Sequence, residues 1–170
     1  DSIIRANTAN GTNGGGVFQG DNAISTTISN TIVTSNTAIN GGGLNASNGS
    51  LFVSQSTIHS NTVSIAGGGI RALSSLPGSD LTITIVNSTI AHNSAPDGGG
   101  IDLFESAGAQ ATVTLINSTL SHNDATSGVG GGIKLNVATT VNISNTIIAN
   151  SLNGGDCNNG SGNFNDNGYN

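Results

Sequence analysis

Thr57-Ile58-His59-Ser60-Asn61, followed shortly by Gly67-Gly68-Gly69-Ile70, decides the fold, because both phrases return along the chain. The first recurs as Ile3-Ile4-Arg5-Ala6-Asn7, Ile32-Val33-Thr34-Ser35-Asn36, Thr89-Ile90-Ala91-His92-Asn93, Thr119-Leu120-Ser121-His122-Asn123 and Thr146-Ile147-Ile148-Ala149-Asn150. The second recurs as Gly14-Gly15-Gly16-Val17, Gly41-Gly42-Gly43-Leu44, Gly98-Gly99-Gly100-Ile101 and Gly130-Gly131-Gly132-Ile133, with a degenerate copy at Gly154-Gly155-Asp156-Cys157. The terminal asparagines recur every 25 to 32 residues, about 29 on average, a period that signals a stacked repeat architecture.

Helical repeats of that period require helix formers, and this chain has few. Each period instead carries short alternating segments such as Leu81-Thr82-Ile83-Thr84-Ile85 and Thr112-Val113-Thr114-Leu115. The expectation is all-β: a single-stranded right-handed parallel β-helix, or β-solenoid, of about six coils with ~29 residues per coil. Alternation turns Ile, Val and Leu inward and Ser, Thr and Asn outward. The glycines provide positive φ or close backbone approach at a corner. The recurring asparagines tolerate the left-handed region, and their amides can bond the equivalent residue one coil away, so Asn7, Asn36, Asn61, Asn93, Asn123 and Asn150 are expected to form a ladder. Residues 1–151 hold the repeats. Residues 152–170 are polar and off-pattern, either a C-terminal cap or the lead into a further segment. Six coils at about 4.8 Å each give a rod roughly 30 Å long.

Composition narrows the function classes. The 170 residues are 34% hydrophobic but only 3% aromatic and 7% charged, against about 25% charged in ordinary globular chains. The net charge is −6, and Arg5, Arg71 and Lys134 are the only Lys or Arg residues. A nucleic-acid partner, which needs several phosphate-binding cations, is not expected, nor is an anionic membrane surface. No apolar run reaches the roughly 18 residues of a membrane span. The opening Asp1-Ser2-Ile3-Ile4 is already strand-like, so a processed product or a fragment is expected. Cys157 is the single cysteine, either an idle thiol or half of a disulfide with a partner elsewhere.

The two phrases resemble the repeats of the polymorphic outer-membrane protein family of bacterial surface adhesins and autotransporters. Those repeats pair a Gly-Gly-Ala-aliphatic motif with a Phe-x-x-Asn motif. Gly67-Gly68-Gly69-Ile70 and Ile58-His59-Ser60-Asn61 occupy the equivalent slots, with Gly for Ala and an aliphatic for Phe. The chain is also similar to bacterial secreted β-helix proteins of pectin-lyase-like architecture. Together these resemblances imply an extracellular or cell-surface location, and the regular repeat with its near absence of catalytic residue types leads to the expectation of a non-catalytic spacer, adhesive segment or fibre subunit. The alternative they imply is a polysaccharide-active, lyase-like or glycan-binding β-helix.

The residue after each triplet's aliphatic forms a column, Phe18, Asn45, Arg71, Asp102 and Lys134, expected to face outward as a plus-minus-plus series. The bland reading is a surface salt-bridge ladder worth under about 1 kcal/mol per pair. The functional reading is an acidic-polysaccharide site, with Arg71 and Lys134 binding carboxylates and Asp102 as base. No resident cofactor is expected. Calcium, which wants six to eight oxygens, has only Asp97, Asp102, Glu105 and Asp124 as weak candidates. His92 and His122 share a column, with His59 one place earlier, and ring stacking is favoured over metal binding.

Thr82-Ile83-Thr84 and Thr112-Val113-Thr114 suggest a threonine array of the kind ice-binding solenoids carry. Coil three offers only Leu51-Phe52-Val53 there, and ordinary β propensity is the preferred explanation. Phe18 is the only aromatic the column argument turns outward. Seven Asn-x-Ser/Thr sequons, at Asn10, Asn45, Asn48, Asn87, Asn117, Asn142 and Asn159, matter only on a glycosylating route. Two insertions, Ser74 to Asp80 and Glu105 to Gln110, follow the same strand and should project side by side as binding loops for surface glycans or proteins. The exposed strand edges of end coils allow copies of the chain to stack end to end.

Overall fold

The computed structural model describes residues 1–21, 24–106 and 108–170. Among them there is no helix, and every paired strand runs parallel to its neighbours one coil away. The chain is a parallel β-solenoid. Three sheets of six strands and one of four stack across about five turns.

Each coil passes through the sheets in a fixed order. The ladder sheet holds Ser2–Arg5, Thr31–Thr34, Thr57–His59, Thr89–Ala91, Thr119–Ser121 and Ile147–Ala149. A short sheet follows, from Thr37–Asn40 to Asp124–Ala125. The glycine sheet comes after the triplets and runs from Val17–Gln19 to Cys157–Asn158. The threonine sheet closes the coil with Ser25–Ser29, Gly49–Ser54, Leu81–Val86, Ala111–Ile116, Thr139–Ser144 and Asn163–Asp166.

The core follows from alternation. One column of the ladder sheet, Val33, Ile58, Ile90 and Leu120, is fully buried. It meets Leu44, Ile70, Ile101 and Ile133 of the glycine sheet and Leu51, Ile83, Val113 and Val141 of the threonine sheet in one continuous apolar cluster. No coil can bury these residues alone, so stacking supplies the hydrophobic stabilisation.

The triplet glycines divide their work. The first has positive φ, +70° at Gly67, which turns the corner without a Cβ penalty. The second and third allow close approach: a Cβ on Gly69 would stand 2.6 Å from the Gly100 carbonyl oxygen and 3.0 Å from Ile90 Cγ2. The triplets therefore hydrogen-bond backbone to backbone from coil to coil, as in Gly68 N–H to Gly98 O at 3.2 Å and Gly69 N–H to Gly99 O at 3.0 Å.

The asparagine ladder runs from Asn7 to Asn123. In each step the backbone N–H and side-chain amide of one asparagine both donate to the Oδ1 of the next, at 2.9–3.1 Å. Two expectations are corrected. The left-handed residue is the one before the asparagine, as at Ser35, Ser60, His92 and His122, and not the asparagine itself. Asn150 is not a rung. Ile147 pairs with Thr119 and Ile148 with Leu120, so Asn150 aligns with His122 and Ser151 takes the ladder slot. The cause lies in the core, where Ile148 packs inward while Ile147 is exposed.

Candidate functional site

Arg71, Asp102 and Lys134 stand in register on the glycine sheet, with Asn45 on the preceding coil. The column points away from the apolar core, as alternation requires. It is not open to solvent: Asp102 and Asn45 are each only 1% exposed. This corrects the outward reading of those two positions. The guanidinium of Arg71 lies 5.3 Å above the Phe104 ring, while its Nη1 stands 3.2 Å from Asp102 Oδ2 and donates to Asn40 Oδ1 at 3.1 Å. Arg71 is therefore held by a carboxylate, an amide and an aromatic face at once.

Lys134 does not close the expected plus-minus-plus series on Asp102. Its Nζ lies 3.0 Å from Asp97 Oδ2, on the turn that opens the fourth glycine triplet. Asp97 Oδ1 also accepts the Val129 N–H at 3.1 Å. The column thus resolves into two separate ion pairs. Their electrostatics differ. Burial pushes the Asp102 carboxyl above the usual carboxylate range, against the opposing pull of Arg71 and Lys134. For Asp97 the partial burial also pushes upward, but the Val129 N–H and Lys134 together hold the carboxyl below that range. Among the described residues, Asp102 Oδ1, Arg71 Nε, Asn45 Oδ1 and Glu105 Oε2 are buried without a hydrogen-bond partner. Arg71 Nη1 is already committed to Asp102 and Asn40. The arrangement as it stands is self-neutralised.

The calcium candidates are dispersed. Asp97 and Asp102 are committed to Lys134 and Arg71, Glu105 ends a strand opposite Ser74, and Asp124 Oδ1 accepts the Asn153 amide at 2.7 Å. Among the described residues no three His, Cys, Asp or Glu side chains converge on a point. His92 and His122 stack with ring centroids 5.0 Å apart and planes 24° from parallel. His59 Nδ1 lies near Thr34 Oγ1 and Ser60 Oγ.

The two insertions do lie together. Ser74 and Glu105 are register partners, Ser106 N–H donates to Ser74 O at 2.8 Å, and Gln110 N–H donates to Asp80 Oδ1 at 3.1 Å. Ala107, in the second insertion, lies outside the described residues. Phe18 is exposed as expected, but so are Phe52, Phe104 and Tyr169. Of the sequon asparagines, Asn45 and Asn48 are buried. Cys157 is exposed and unpaired among the described residues, and desolvation at the solenoid's end, then the adjacent Asp156, pushes its thiol up to about 11.

Two ladders escaped the sequence reading. Thr31, Ser56, Ser88, Ser118 and Thr146 form a buried hydroxyl column. From Ser56 onward each hydroxyl accepts the backbone N–H of its predecessor one coil back, from Thr31 N–H to Ser56 Oγ at 3.1 Å through Ser118 N–H to Thr146 Oγ1 at 3.4 Å. Each also donates to the carbonyl two residues earlier in its own coil. Asn170 continues the column by accepting the Thr146 N–H at 2.8 Å. Beside it, at a corner of positive φ, exposed Asn87, Asn117 and Asn145 link amide to amide at 3.1 and 2.7 Å.

No family model, curated protein or solved structure matches this chain.

Proposed function

We propose that the chain is a non-catalytic structural β-solenoid that works outside the cell, as a rigid surface spacer or adhesive segment or as a subunit of an extracellular fibre. The observation that carries this reading is the use to which polar side chains are put. Asparagines and hydroxyls are spent on joining one coil to the next, and Arg71, Lys134, Asp97 and Asp102 are spent on pairing with one another. Ladders of asparagine and hydroxyl groups satisfied from coil to coil rigidify a scaffold. The likeness of the two repeat phrases to those of bacterial surface adhesins supports the extracellular assignment. Partners are surface glycans or proteins at the paired insertions, or further copies through the end edges, Ser2–Arg5 and Ser25–Ser29 at one end and Ile147–Ala149 and Asn163–Asp166 at the other.

Electron microscopy of concentrated purified protein separates these versions: filaments support the fibre, and dispersed rods support the spacer. A lyase assay on uronate polymers, with and without calcium, tests the enzymatic alternative. Turnover that disappears in Asp102→Ala would overturn the non-catalytic reading.

A further inference from the structure

The outer face of the threonine sheet carries two adjacent columns rich in threonine, where the ladder sheet carries the single column Thr57, Thr89 and Thr119. The pairing register sets Thr82, Thr112 and Thr140 in one outward column and Thr84, Thr114 and Asn142 in the next. The gap that the sequence suggested at Leu51-Phe52-Val53 is narrower than it looked. Ser50 extends the first column and Ser25 extends it again, and Thr27 resumes the second beyond Phe52. The first column is therefore hydroxylated on five successive coils.

Three features make this face a lattice and not a collection of threonines. Its five strands from Ser25–Ser29 to Thr139–Ser144 pair without a register shift. Parallel strands repeat about every 4.8 Å, and alternate residues about every 6.6–6.8 Å, so the hydroxyls fall on a two-dimensional grid. Sheets stay flat over many strands when side-chain ladders lock the coils together, and this sheet runs directly into the hydroxyl ladder at Ser88 and Ser118. No charged residue occurs in those five strands. Among the described residues, the hydroxyls of Thr82, Thr84, Thr112, Thr114 and Thr140 bond to no protein group, so their hydrogen-bonding capacity faces solvent with their methyl groups beside it.

We propose that this face binds ice, holding a lattice of ordered water whose oxygens match the threonine grid. A charged face would orient water around each ion, and an apolar face would leave it unanchored. A neutral grid of alternating methyl and hydroxyl groups both orders water between its rows and bonds it at fixed points. The assignment does not depend on whether the chain serves as a spacer, because it uses a face that neither the charged column nor the insertions occupy.

The test uses the full chain. Thermal hysteresis, ice-crystal shaping and inhibition of ice recrystallisation are measured for the wild type, Thr84→Tyr and Thr114→Tyr, with Ser64→Tyr on an exposed position of the short sheet as control. Circular dichroism and melting verify that each variant is folded. The wild type and the control are expected to shape ice, and the two threonine variants to lose most of that activity while staying folded. Wild-type protein without hysteresis or crystal shaping overturns the proposal. So does undiminished activity in Thr114→Tyr, or lateral self-association through this face in place of ice binding.

Discussion

Replacing Asn93 by alanine removes an interior rung of the asparagine ladder, and the cost follows from who is left unpaired. Asn93 is 0% exposed. Its Oδ1 accepts both the backbone N–H and the side-chain amide of Asn61, each at 3.0 Å, and its Nδ2 donates to Ile58 O at 2.9 Å and to Asn123 Oδ1 at 3.1 Å. Alanine keeps the backbone bond from residue 93 to Asn123 but orphans two donors of Asn61 in the interior. Each buried, unsatisfied polar group costs roughly 1–3 kcal/mol, so Asn93→Ala should lose about 2–6 kcal/mol. Asn7→Ala is the internal control. Asn7 is exposed, sits on the first coil and only donates, so it forfeits one side-chain bond worth about 0.5–1.5 kcal/mol. Urea unfolding followed by circular dichroism reads both values as midpoint shifts at constant slope. Losses for Asn93→Ala and Asn7→Ala that agree within about 0.5 kcal/mol would refute the claim that the ladder is a buried, mutually satisfied network.

Ser88→Ala should cost roughly 1–3 kcal/mol by orphaning the Ser56 N–H, whereas Ser88→Thr should be close to neutral because Thr31 and Thr146 fill the same column; urea midpoints decide between them. Asp102 has a folded-state pKa above its unfolded value, so its contribution to stability is full below the unfolded value and is lost as pH rises through the folded one. Wild type should therefore lose stability relative to Asp102→Asn between pH 4 and pH 7, measured by unfolding at both, and the opposite trend would mean that pairing with Arg71 outweighs burial. With its thiol pushed up to about 11, Cys157 should alkylate slowly with iodoacetamide at neutral pH and accelerate up to that value, as a mass-spectrometric time course would register.

The fold was legible because its decisive signals are local. Glycine triplets and asparagines report a corner and a rung wherever they occur, and the Asn7–Asn123 ladder follows from them directly. The error at Asn150 shows where that logic ends. Ile147 and Ile148 are both apolar, so the sequence of that one strand fits two registers equally well. The hydroxyl column resolves the choice, since Thr146 must sit two residues before an inward aliphatic, as Ser118 does before Leu120. The Asn-Ser or Asn-Thr pairs at Asn87, Asn117 and Asn145 carried that signal, but Asn87 and Asn117 read only as sequons. The charged column failed differently. Its register was correct, but burial of Asp102 depends on side chains crossing from neighbouring coils, and Lys134 chose Asp97 over Asp102 because Asp97 lies on the adjoining turn.

The two buried ladders also explain how coils of unequal length keep one register. In every complete coil the hydroxyl rung stands five residues before the asparagine rung, as in Thr31 and Asn36, Ser56 and Asn61, Ser88 and Asn93, Ser118 and Asn123. Both rungs point their acceptors toward the preceding coil, so each ladder strand is pinned at its two ends by its neighbour. The turns between paired strands are free to vary in length, and they do: successive asparagine rungs are 25, 32 and 30 residues apart after Asn36. Residues 74–80 and 105–110 exploit this freedom, leaving from matched strand ends and returning to the threonine sheet without disturbing Leu81 or Ala111 in their register. A scaffold whose paired strands and ladders hold the coils in register can accept new loops at the turns at little cost, because closing a longer loop adds only about 0.6 kcal/mol per doubling of its length. That property suits the spacer proposed for this chain, since loops can lengthen at the turns while the ladders hold the coils in register.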